Sequence, residues 1–142
     1  MEAGFQFAVI WSDAVVVEVP ISAWNGLFGG TTDVYVGIGQ LSEAAEQLEG
    51  FPTSPSDVRE LIFGAFGPKH AGAAVSMRFY CVDGSGHASV DSQIESDYDS
   101  QRKAQSVVLS LPIEAAEVDS FVDELRCLNA ERKGAARLKE RV

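Results

Sequence analysis

A chain of 142 residues with 21 acidic and 11 basic side chains carries a net charge of −10, and 46% of it is apolar. One domain of this size buries roughly two-thirds of its unfolded surface and needs neither disulfides nor a structural metal. A pI near 4.5 excludes a nucleic-acid surface and adsorption to an anionic membrane, both of which need a basic face, and the periodic apolar runs exclude a disordered acidic polypeptide.

Phe5, Phe7, Val9 and Trp11 recur with a period of two, which predicts a strand ending at a Ser12-Asp13 turn. Val15, Val17, Val19 and Ile21 form the inner face of the next strand, and Pro20, having no N–H, places that strand at an edge or a bulge. Asn25-Gly26 is a two-residue hairpin signal, and a third strand follows over residues 32–38, with Val34, Val36 and Ile38 inward. The period then changes: Leu41, Ala44, Ala45 and Leu48 predict a short amphipathic helix, with Ser42 as cap and Gly50 past its end. Residues 59–66 form a fourth strand. Val75, Met77, Phe79 and Cys81, then Ala88, Val90 and Ile94, flank Asp83-Gly84-Ser85-Gly86 as a hairpin, followed by a polar loop over residues 95–106. Val107, Leu109, Leu111 and Ile113 predict a last strand; Val118, Phe121, Val122, Leu125 and Leu128 predict a last helix. The expectation is one α+β domain over residues 1–142, with a largely antiparallel sheet of six to seven strands, two helices and a basic, frayed tail over residues 129–142.

Residues 126–142 carry six basic groups against Glu131 and Glu140, a net +4, which leaves −14 on the rest. Such a body attracts basic partners and repels acidic ones. The opening Met-Glu-Ala-Gly lacks the basic region of a signal peptide, and no run approaches the roughly 20 apolar residues of a membrane span, so a cytoplasmic protein is expected. Cys81 and Cys127 lie on different elements with no ligand spacing and are expected to be free, buried thiols.

His70 and His87 have no partner at ligand spacing. Asp91, Glu95, Asp97 and Asp99 invite calcium, but Arg102 stands where an EF-hand loop requires glycine. Gly84-Ser85-Gly86-His87 puts a serine near a histidine, yet a tight turn accounts for it, and no nucleophile elbow or phosphate loop occurs. No catalytic residue, metal ligand or cofactor is therefore assigned. Trp24, Leu27 and Phe28 around the Asn25-Gly26 turn, with the acidic Glu95, Asp97 and Asp99, are the candidate partner-binding residues, because aromatic anchors and charged rims mark interfaces.

Gly29-Gly30-Thr31-Thr32-Asp33-Val34-Tyr35-Val36, Leu48-Glu49-Gly50-Phe51-Pro52, and Val75-x-Met77-Arg78-Phe79 followed by Asp83 and Gly86-His87 resemble the small bacterial immunity proteins grouped with the WapI type of polymorphic toxin systems. The resemblance runs from about residue 14 to residue 128 and rests on turns and core positions. It implies a cytoplasmic, non-enzymatic protein that protects its own cell by binding a toxin domain, with no catalytic residues to carry over. The first expectation is thus an acidic binding protein whose partner is a basic toxin domain. A self-assembling structural or accessory protein is the second, and a small-ligand binder or enzyme with a site built from distant residues the third.

Overall fold

The computed structural model describes residues 2–67, 73–97 and 103–142. Its elements are β1 (Gly4–Ala8), β2 (Trp11–Ser12), β3 (Val16–Trp24), β4 (Gly29–Gly37), α1 (Gln40–Leu48), β5 (Val58–Gly64), β6 (Ala74–Cys81), β7 (His87–Glu95), β8 (Ser106–Glu114), α2 (Ala115–Glu131) and β9 (Ala135–Lys139). The fold is α+β, with two antiparallel sheets. In the first, β3 lies between β4 on one side and β1 with β2 on the other, and β1 also pairs with β9. The second is a meander in the order β5-β6-β7-β8.

The inner faces of both sheets and the apolar stripes of both helices close over one core. Phe7 stands at its centre, with its ring edge-on to Phe63 of β5 at 5.1 Å and to Phe121 of α2 at 5.4 Å. The alternation that predicted the inner residues holds for Val17, Val19, Ile21, Val34 and Val36, all buried, whereas Val15 and Ile38 lie beyond the sheet's end and are exposed.

Pro20 resolves to a bulge and not to an edge. Phe7 pairs with Ile21, but Trp11 pairs with Glu18, so the β1–β2 side carries one residue more than β3 between those pairs. A proline opposite such an irregularity forfeits no regular ladder bond, which is how it sits in a central strand. The same irregularity splits the predicted first strand into β1 and β2.

Residues 129–142 depart from the expected frayed tail. α2 continues to Glu131, Arg132 turns the chain with φ 55°, and β9 adds to β1 with Ala136 and Leu138 fully buried. The Arg137 N–H, on the outer edge of β9, donates to Glu124 Oε1 of α2 at 2.8 Å. An open strand edge would otherwise be left beside the helix.

At the other helix, α1 begins after Gly39, which has φ 90°, so Ser42 lies inside it and not at its cap. Its C-terminal carbonyls are met from outside: Arg59 donates to the carbonyls of Gln47 and Glu49 at 3.2 and 2.7 Å, pairs with Asp57 at 2.8 Å and lies over the Phe51 ring. The Arg59 guanidinium, with the Thr53 N–H, holds the Asp57 carboxyl below the usual aspartate range.

Candidate partner-binding surface

The β3–β4 connection is longer than the two residues expected: Trp24 pairs with Gly29 and residues 25–28 make the turn. Asn25 builds it. Its N–H donates to the Phe28 carbonyl, its Oδ1 accepts from the N–H groups of Leu27 and Phe28 at 2.9 and 2.8 Å, and Gly26 takes φ 93°. The Asn25 amide also donates to the Ser110 carbonyl of β8 at 3.0 Å, which fastens the turn to the second sheet. Trp24 is half-buried; its ring approaches Gly29 so closely that a Cβ there would stand 2.8 Å from Cε3. Leu27 and Phe28 are 79% and 60% exposed. They do not fold back on the sheet.

The acidic candidates meet the first sheet further along β4. Thr32 Oγ1 donates to the Glu95 carbonyl at the end of β7, and Gly30 lies against Val107 and Ile94. The Glu95 carboxylate accepts the Gly67 N–H at 3.0 Å, and Asp97 follows it, exposed. The contacts to the end of β7 are thus made by Gly30 and Thr32, two and four residues past Phe28, while the turn itself touches Ser110; the fold does not bring Trp24, Leu27 and Phe28 against Glu95 or Asp97. Asp99 lies outside the described residues, as does His70.

A second acidic region was not singled out from sequence. α1 and α2 pack on each other, and their outer positions present Glu43, Glu46, Glu117, Asp119, Asp123 and Glu124, while Arg126 is taken up by Glu49 at 3.2 Å. The signal was available: carboxylates filled the positions between the apolar stripes of both predicted helices.

Among the described residues no group of three or more His, Cys, Asp or Glu side chains could hold a metal. Asp91 instead accepts from Tyr80 OH and Ser110 Oγ at 3.0 and 2.7 Å on the outer face of the second sheet. His87 does have a carboxylate: Asp83 Oδ2 lies 2.8 Å from its Nδ1, and Asp83 also takes the Ser85 N–H. These bonds hold Asp83 below its ordinary range, the Ser85 N–H most strongly. Ser85 lends its backbone and not its hydroxyl, so the arrangement is a hairpin turn. The thiols are free, as expected, but not buried: Cys81 is half-buried, and Cys127 is exposed on the outer side of α2. Burial, then the charges of Asp57 and Asp83, push the Cys81 thiol up. No helix of the described residues is long and apolar enough to cross a membrane.

On the outer face of the first sheet, Glu18 stands in register between Trp11 and Tyr35. Partial burial raises its carboxyl above the ordinary range, Asp33 adds a hydrogen bond and like charge, and Tyr35 opposes the shift. A carboxyl with a raised folded-state pKa weakens the fold at neutral pH, and the fold regains that stability as pH falls toward the unfolded value of about 4.3. Glu18→Gln is therefore expected to raise the melting temperature at pH 7, with the gain vanishing at pH 4. Thermal melts followed by circular dichroism at both pH values check this; an equal gain at both would show that ionisation is not its source.

The chain matches no known protein family, no curated protein and no solved structure.

Proposed function

We propose that the protein is a non-enzymatic acidic binding protein, an immunity-type inhibitor whose partner is a basic toxin domain. One observation carries this reading: Leu27 and Phe28 stand uncovered on a turn fixed by Asn25 and fastened to β8. Interfaces draw most of their energy from a few apolar anchors surrounded by a polar rim. A turn already held in shape loses little conformational freedom on binding. The net charge of −10 and the carboxylates of the helices speed encounter with a basic protein and disfavour acidic ones. Two thiols that are free and not deeply buried fit a reducing, cytoplasmic compartment.

The test is capture from host lysate with the tagged protein at low and then moderate salt, with mass spectrometry of the eluate and an assay of whether the captured protein's toxicity is neutralised. The expected result is one basic protein, shed as salt rises, with capture reduced about tenfold or more by the Leu27→Ser/Phe28→Ser pair. Recovery of the bait alone, or capture unchanged by that pair, would overturn the reading; the first outcome would move the weight to self-association.

A further inference from the structure

The first sheet carries a hollow on the face turned away from the core, and we infer that it binds the oxyanion head, carboxylate or phosphate, of a small molecule through Arg137 and Lys139. The cavity has a volume of about 310 Å³ and is lined by Glu2, Gly4, Gln6, Ser22, Arg137 and Lys139, together with the backbone around them.

Its origin is steric. Phe5 and Phe7 point to the core, so Gly4 and Gln6 face outward. Gly4 pairs with Trp24 on one side and Lys139 on the other, and Gln6 pairs with Ser22 and Arg137. Any side chain at Gly4 would be driven into the Leu138 carbonyl oxygen of β9, and its φ of 149° is one that L-residues rarely adopt. Close approach of β1 and β9 therefore requires glycine, and glycine leaves the middle of the Trp24–Gly4–Lys139 row empty. The hollow is a fixed consequence of how the strands meet.

Its chemistry is that of an anion site. Arg137 and Lys139 are alternate residues of one strand, so both side chains leave the same face, with Cα atoms about 7 Å apart. Arg137 donates its Nε to Gln6 Oε1 at 3.0 Å, which orients the guanidinium. Neither its terminal nitrogens nor the Lys139 ammonium has a partner among the described residues. In a chain of net charge −10, two neighbouring cations left unpaired on one face repel each other, and an oxyanion between them removes that repulsion. Guanidinium supplies the fork for two oxygens, and ammonium supplies a mobile third donor. Ser22 adds a hydroxyl, and Glu2 on the rim disfavours a second anionic group on the same ligand. The lining of this site does not include Leu27 or Phe28, although Trp24 at the base of their turn stands beside Gly4, and the site does not depend on the partner reading.

The test is titration of the ¹⁵N-labelled full chain with inorganic phosphate, followed by amide shifts. Saturable shifts are expected at Gly4, Gln6, Ser22 and Lys139, weakened about tenfold by Arg137→Gln and several-fold by Lys139→Gln, and unchanged by Arg78→Gln, which alters an exposed arginine on the other sheet. Shifts that do not saturate, shifts that survive both Arg137→Gln and Lys139→Gln, or equal loss in Arg78→Gln would overturn the proposal. Lys139→Gln keeps the Arg137–Gln6 contact, so the test stands even if Arg137→Gln loosens β9.

Discussion

Phe7→Ala is expected to reduce the unfolding free energy by about 3–5 kcal/mol, the range found when a buried phenylalanine is truncated. Phe7 is fully buried, and its ring is the point where the first sheet, the second sheet and α2 meet, through Phe63 and Phe121. The space it vacates is bounded by three elements, each held by its own hydrogen-bond ladder or helix, so none can move in without breaking other contacts. For a domain of this length the loss corresponds to a fall of roughly 10–20 °C in melting temperature. Scanning calorimetry would show it. A fall of only a few degrees would mean that the core can collapse onto the vacated volume.

The second large effect separates two glycines that share the same positive φ. Gly50 and Gly64 both have φ 76°. A Cβ at Gly50 would meet nothing within 4 Å, whereas a Cβ at Gly64 would run into the Ala73 carbonyl oxygen, where β5 meets β6. Gly50→Ala should therefore cost only the left-handed backbone penalty, about 1–2 kcal/mol. Gly64→Ala should cost that and a further 1–3 kcal/mol or so for overpacking against backbone that cannot yield as a side chain would. Chemical denaturation of the two variants side by side gives the comparison. Equal losses would show that β5 and β6 separate there at little cost.

The elements legible in the sequence are those in which one local period decides everything. Val75 to Cys81 alternates without a break, and Leu41, Ala44, Ala45 and Leu48 repeat at helical spacing, so β6 and α1 were found with their correct inner faces. β9 escaped because only Ala136 and Leu138 turn inward, and Lys133, Gly134, Arg137 and Lys139 around them read as a solvated tail. What buries that strand is β1, at the far end of the chain, and no local pattern records it. Cys127 was misjudged although its position was legible: Leu125 and Leu128 define the buried stripe of α2, and Cys127, like Arg126, lies between them outside it. For the candidate surface, Leu27 and Phe28 could be picked from the turn signal alone. How far they stand from Glu95 is set by where Thr32 and Gly30 cross the end of the second sheet, a long-range contact. The hollow over Gly4 was invisible for the same reason, since Arg137 and Gln6 are 131 residues apart.

That separation also bears on how the molecule is made. β1 is the first element of this fold to be synthesised, and its outer neighbour β9 is synthesised after every other element described. Until β9 arrives, one edge of the first sheet has unpaired N–H and C=O groups, and Ala136 and Leu138 are missing from the core beneath. Closing a pairing of such long sequence separation is slow compared with forming the β6–β7 hairpin or either helix. A nascent or truncated chain lacking residues 135–139 therefore offers a strand edge on which another copy can dock, and its hazard during synthesis is edge-to-edge aggregation.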